Sequence, residues 1–167
     1  MYHASILDDR LEQRAGSRSA VVIDYNDRPE RTAAENDELF HFEVSILWSL
    51  SFHPNIVGLV GYTDEPRTII VRECPWDLPR FLAEAPRPMP IAGILRICSD
   101  IAQAVNATHT LGVAHRNIQS ASIYVTPTSD ASPPIVQLGH FSLARSEYAP
   151  SLLRFGTDRV TLGIRSM

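Results

Sequence analysis

The sequence predicts an α+β chain: a small β-rich part with one helix, then a larger, mainly helical part. Three observations carry this expectation. Apolar runs of strand length, at residues 20–25, 56–62 and 68–74, surround a single segment with helical spacing. A longer segment, about residues 91–110, repeats apolar residues at the helical period. A short strand pair at residues 123–125 and 135–138 follows it. Strands with one helix first, then helices with a hairpin, separate into two lobes.

Each element has its own warrant. Residues 1–19 are polar and weakly patterned, and are expected as a loose N-terminal arm. Ala20-Val21-Val22-Ile23-Asp24-Tyr25 reads as a buried strand. Thr32 and Glu35 have capping-box spacing ahead of Leu39, Phe42, Ile46 and Leu50, with Phe40, Val44 and Leu47 beside them. That is an amphipathic helix over roughly 35–51, broken by His53-Pro54-Asn55. Residues 56–62 and 68–74 then form a hairpin, turning at Thr63-Asp64-Glu65-Pro66. Pro75-Trp76-Asp77 opens a short helix ending near Glu84. The alternating prolines of residues 85–90 exclude regular structure, since they remove donors and fix φ. In the 91–110 helix, Ile94, Ile97/Cys98, Ile101 and Val105 mark the expected buried stripe, with Leu95, Ala102 and His109 beside it. Residues 139–167 carry little pattern.

Composition excludes several functions. The chain has 167 residues, 44% hydrophobic and 20% charged, which suits one domain with a real core. Its net charge is −4 without a basic run, so neither nucleic acid nor an anionic membrane is expected as a partner. No basic start leads into an apolar stretch, so no secretory signal is read. Cys74 and Cys98 lack metal spacing and read as reduced core thiols of a cytoplasmic protein. His109, His115 and His140 show no metal-ligand spacing either, so no metal site is expected. All 15 basic residues are Arg, so no mechanism requiring a lysine ammonium can operate.

The chain is organised around Leu111-Gly112-Val113-Ala114-His115-Arg116-Asn117-Ile118-Gln119-Ser120-Ala121-Ser122, a loop between the long helix and the strand at Ile123. It resembles the catalytic loop of protein kinases, H-R-D-L-K-x-x-N. Other motifs support the resemblance in order: Glu43-Val44-x-Ile46-Leu47, His53-Pro54-Asn55-Ile56-Val57, Val71-Arg72-Glu73, Trp76-Asp77-Leu78 with Phe81-Leu82, Leu138-Gly139-His140-Phe141-Ser142-Leu143-Ala144-Arg145, and Gly156-Thr157. Their wording is nearest the tyrosine-kinase-like serine/threonine group. The resemblance implies a partial two-lobe kinase fold over 20–157, with a small lobe at 20–74 and part of a large lobe at 75–157. Residues 158–167 are an unmatched tail, and the family's first hairpin is expected to be missing.

The resemblance also implies a site whose chemistry has changed. Asn117 stands at the position of the base, and an amide takes no proton near neutral pH; loss of a base typically costs about 10²–10⁴ in rate. Gln119 stands at the loop lysine, and Ser122 and His140 stand where oxygen ligands would hold magnesium. Asp24 matches the strand lysine and would face Glu43, carboxylate to carboxylate. No glycine-rich loop precedes Ala20. Apolar positions are kept: Leu47, Leu59, His115 and Phe141 match a stack of packed groups, with His115 expected as a core residue. Arg72 matches the residue guarding the back of the pocket. It either neutralises Glu43 and Asp24 and blocks the pocket, or snorkels from a strand edge. Arg116 matches an arginine that pairs with phosphate, or is simply solvated. Ser146, Tyr148 and Ser151 are candidate phosphate acceptors.

The expected function is therefore that of a pseudokinase acting by binding a protein partner, with no cofactor. The alternatives are a fragment of a serine/threonine kinase transferring phosphate from ATP to protein, which alone would need ATP and Mg, or a non-functional gene fragment. A partial fold should also leave apolar surface exposed on the 91–110 helix.

Overall fold

The computed structural model describes residues 2–6, 19–26, 31–85, 89–128, 133–147 and 164–166. In chain order the elements are β1 (Tyr2–Ile6), β2 (Ser19–Asp24), α1 (Ala33–Ser49), β3 (Leu59–Asp64), β4 (Arg67–Arg72), β5 (Trp76–Asp77), α2 (Leu78–Glu84), α3 (Ile91–Thr110), β6 (Val113–Ala114), β7 (Ile123–Thr126), β8 (Ile135–Leu138), β9 (Arg145–Ser146) and β10 (Ile164–Ser166). Single 3-10 turns lie at Ser120–Ser122 and Phe141–Leu143. The chain divides into two compact units: Met1–Ser51 with Gly58–Glu73 and Pro150–Met167, and Phe52–Val57 with Cys74–Ala149.

The first unit is a five-stranded sheet, ordered β10-β1-β2-β4-β3, with α1 packed on β3 and β4. β2 lies antiparallel to β4, with Ala20 opposite Arg72 and Asp24 opposite Thr68. α1 starts where the capping box places it. Thr32 Oγ1 accepts from Glu35 N (3.3 Å), and Glu35 accepts from Thr32 N (2.8 Å). The Thr32 N–H and hydroxyl, both donating to Glu35 Oε2, hold this carboxyl below its ordinary range. From Phe42 to Leu47 every residue of α1 is buried, so the helix middle is enclosed on all sides. Tyr25 and Phe40 meet edge to face at 5.7 Å within a core that includes Val22, Val44, Ile46 and Ile69.

The second unit packs α3 against β8 of a three-stranded sheet ordered β5-β7-β8, with β6 and β9 as a separate ribbon. α2 is capped by Asp77, whose carboxylate accepts from Arg80 N at 2.9 Å. The outer edge of β8 is covered by the His53-Pro54-Asn55 segment. Leu138 N donates to Asn55 O (2.8 Å), Val57 N to Leu138 O (3.0 Å), and Asn55 Nδ2 to Val136 O (2.9 Å). Gln137 completes the seam: its Nε2 donates to Pro54 O (3.2 Å) and Ile56 O (3.0 Å), and its Oε1 accepts from Cys74 Sγ (3.2 Å).

Several expectations are corrected. The loose arm holds a strand, because β1 finds antiparallel partners in β2 and β10. β1 therefore precedes β2 where no strand was expected. β10 likewise lies within the unmatched tail. The strand expected from residue 56 begins at Leu59, since residues 55–57 are bonded to β8 instead. Cys98 is exposed, and both cysteines are free.

The largest correction is the rotation of α3. Its buried residues are Ile97, Asp100, Ala104 and Thr108. Ile94, Leu95, Cys98, Ala102 and His109 are exposed, and Ile101 and Val105 are half-buried. Short Ala104 and Thr108 lie on the face that admits β8, while the greasier face has no covering element among the described residues of this unit. The buried Asp100 carboxylate lies 2.9 Å from Arg96 Nε, but neither oxygen has a well-formed hydrogen bond. No helix among the described residues is long and apolar enough to cross a membrane.

Gln137→Leu strips two backbone carbonyls of their shared donor. Each buried orphan costs about 1–3 kcal/mol, so a urea melt of this variant should show a loss of at least about 1 kcal/mol. An unchanged midpoint would show that the seam does not depend on Gln137.

Candidate functional site

The described site residues fall in both units, and each group is built by its own unit. In the first, β2 ends at Asp24, and Asp24 Oδ1 accepts from both Asn26 N and Asn26 Nδ2 at 2.8 Å. This Asx turn bends the chain and sends Tyr25 into the core. The Tyr25 hydroxyl donates to Glu43 Oε2, both groups being buried. The expected confrontation of Asp24 with Glu43 is thus replaced by a phenol on a carboxylate. The resemblance to the kinase strand motif pointed at Asp24, and only the turn chemistry of Asp24-x-Asn26 could have pointed to Tyr25. Arg72 is exposed at the end of β4, with its guanidinium carbon 3.6 Å from where a side chain on Gly58 would begin. Leu47 and Leu59 are buried in this unit.

In the second unit the loop is tied to the segment after β8. His115 is 1% exposed, and its Nε2–H donates to Gly139 O at 2.8 Å. A carbonyl can only accept, so the proton sits on Nε2, and Nδ1 accepts from Asn117 N at 3.2 Å. Its ring meets Phe141 edge-on at 4.7 Å. Gly139 sits in a close approach: a Cβ there would lie 3.0 Å from side-chain atoms of both Tyr124 and Val57, which would have to shift to admit it. His140 adopts φ 61°, and Arg116, which is exposed, adopts φ 63°. Such left-handed non-glycine residues are sterically strained by about 1–2 kcal/mol each and cluster at functional sites.

The Ser122 side chain binds the loop itself. Ser122 is fully buried; its hydroxyl accepts from Gln119 N (3.0 Å) and lies within donating distance of Gln119 O (2.8 Å) and Asn117 O (2.9 Å). His140 Nε2 is bonded to the Tyr124 hydroxyl at 2.6 Å, with the two rings 5.6 Å apart. Asn117 is half-buried and Gln119 exposed. Tyr124 carried no signal in the sequence beyond membership of an apolar strand.

This donor set does not fit magnesium and nucleotide phosphates. Positions 117, 122 and 140 carry an amide, a hydroxyl and an imidazole, so no carboxylate is present to anchor a hard dication and the imidazole nitrogen suits magnesium poorly. The Ser122 oxygen and the His140 Nε2 are already engaged within the fold. Among the described residues no group of three or more His, Cys, Asp or Glu could hold a metal. Ser146 lies in β9, while Tyr148, Ser151, Gly156 and Thr157 fall outside the described residues.

Comparisons with known proteins find protein kinases. The sequence profile described as protein tyrosine and serine/threonine kinase matches residues 3–159. The chain is 31% identical over 122 residues to a cyclin-dependent kinase 4 homolog of Caenorhabditis elegans, covering 68% of this chain and 28% of that protein. It is 30% identical over 157 residues to the serine/threonine-protein kinase PkaA of Streptomyces coelicolor, covering 87% of this chain and 28% of the relative. Over 125 residues it is 30% identical to the serine/threonine/tyrosine-protein kinase HT1 of Arabidopsis thaliana, covering 72% and 31%. The chain therefore spans about a third or less of these relatives.

The two histidines make stability depend on pH. Burial holds His115 below the ordinary imidazole range; the Gly139 carbonyl opposes this and the neighbouring His140 adds to it. Burial lowers His140 as well. The unfolded chain, with imidazoles near pKa ~6.5, then binds more protons than the folded one, so stability falls as pH drops below that value until the folded pKa is passed. The thermal midpoint should be level above about pH 7.5 and decline below about pH 6.5. His140→Asn, which suits the left-handed backbone, should weaken this decline. A midpoint that stays level down to pH 5.5 contradicts the assignment.

Proposed function

The chain belongs to the protein tyrosine and serine/threonine kinase family, and we propose that it works within that family by binding a protein partner and not by transferring phosphate. The observation carrying this reading is the loop of Asn117, Ser122 and His140. The Ser122 hydroxyl is engaged with the loop backbone and the His140 imidazole with Tyr124, and no carboxylate stands among the three. The phenol of Tyr25 on Glu43 supports it, since that carboxylate has a hydroxyl partner in a chain without lysine. Preserved packing with altered chemistry is what a binding scaffold requires: Leu47, Leu59, His115 and Phe141 are all buried. Two free cysteines fit a reducing, cytoplasmic setting for this activity.

A second reading has one observation of its own. The chain covers only 28% of a serine/threonine kinase to which it is 30% identical. Under that reading it is part of a longer serine/threonine kinase using ATP and magnesium.

A thermal-shift titration with ATP, with and without magnesium, separates the two. Ligand at 100 times its Kd stabilises a fold by about 2.7 kcal/mol. The binding-scaffold reading expects no magnesium-dependent shift at millimolar ATP and background phosphorylation of a generic protein substrate. Asn117→Asp alone should leave that background unchanged, because His140 and the missing lysine remain. Magnesium-dependent stabilisation together with turnover that Asn117→Ala abolishes would overturn the proposal.

A further inference from the structure

The turn after β8 is tied on both sides of His140. Gly139 N donates to Ser122 O (3.0 Å), and Gly139 O accepts from His115. Ala144 N donates to Phe141 O at 2.9 Å and closes the next turn. Between these ties His140 makes the bend, in the left-handed region at φ 61° and ψ 60°. A residue with a Cβ leaves that region unless its surroundings hold it there. The bend turns Phe141 into the core, fully buried, and leaves Leu143 43% exposed.

The loop's other left-handed residue, Arg116, is held by a hydrogen bond that spans it, from Asn117 N to His115 Nδ1 (3.2 Å). His140 has no such bond across it among the described residues, and Tyr124 takes that part. Tyr124 stands on the middle strand of the β5-β7-β8 sheet, opposite Asp77 on one side and Gln137 on the other, so its backbone is a firm mount. Its ring lies against Gly139, and its hydroxyl is bonded to His140 Nε2 at 2.6 Å. The two rings are 5.6 Å apart and tilted by 32°, so the polar contact is the closer one.

We propose that Tyr124 is the positioning residue of this turn: through its bond to His140 it keeps the backbone left-handed and Phe141 packed on His115. The inference deepens the binding-scaffold reading and rests on it for its consequence. A loop set by a side chain of its own sheet presents one surface to a partner at every nucleotide level.

The test is a double-mutant cycle in the full chain, read by amide hydrogen exchange and by NMR of the His115 ring. Tyr124→Phe keeps the ring against Gly139 and removes the hydroxyl. It should speed exchange at the Ala144 amide about fivefold, the worth of one ordinary hydrogen bond, and shift the His115 ring protons as Phe141 leaves them. Amides in the middle of α3 should exchange as before, showing that the unit stays folded. His140→Gly removes the imidazole together with the steric cost of the left-handed backbone. In that background Tyr124→Phe should add less than about twofold, because the two residues act as one. His140→Ala removes the bond and keeps the cost, so it should loosen the turn more than His140→Gly does. Should Tyr124→Phe unsettle α3 as well, the order of these two His140 variants decides. Equal effects of Tyr124→Phe in both backgrounds would show a role in packing alone and overturn the proposal. Unchanged exchange at Ala144, or a turn looser in His140→Gly than in His140→Ala, would overturn it too. A magnesium-dependent shift with ATP sinks the binding-scaffold reading and leaves the coupling standing, so the two failures are distinct.

Discussion

The hydrogen bond from His115 to the Gly139 carbonyl is the contact on which the loop's arrangement depends. It joins the residues following α3 to those following β8, and it fixes the His115 tautomer so that Nδ1 can hold Asn117 N. Phe141 then seals the ring at 4.7 Å. Gly139 sits there without displacing Tyr124 and Val57, whose side chains a Cβ would crowd at 3.0 Å. Val57 is itself seated by its bond to Leu138. A buried imidazole satisfied on both nitrogens is thus surrounded by elements from four stretches of chain. Its neutral state follows from that enclosure.

Around this frame the polar chemistry has turned inward. Ser122 and His140 meet the loop backbone and Tyr124, and in the other unit Glu43 meets Tyr25. Burying a polar group without a partner is expensive, so each of these hydrogen bonds stabilises the local fold. The same bonds compete with any ligand that would need those atoms. The buried positions Leu47, Leu59, His115 and Phe141 hold their places by packing, independently of which polar group stands at positions 117, 122 and 140.

α3 shows the opposite use of burial. Its inward face includes Asp100 and Thr108, while isoleucine and leucine side chains lie outside. Which face of a helix is buried depends on the shape of what it meets as well as on its own hydrophobicity. Ala104 and Thr108 are the short residues that admit β8. The greasier side is left exposed.

The sequence by itself determined the order of elements, the capping of α1, the span of α3 and the family to which the loop belongs. These rest on local signals: Thr32 with Glu35, helical spacing, and residue order around His115. The tertiary structure alone decided the rest. β1 and β10 were invisible because their pairing partners lie far along the chain. Tyr25 displaced Asp24 because a turn after the strand redirects the next side chain. Asn55 and Gln137 became the seam of β8 because a sheet edge must have its backbone groups satisfied, and no periodicity announces where that edge will fall. The face that α3 buries, with Ile97, Asp100, Ala104 and Thr108, was set by its packing on other elements and not by its apolar pattern.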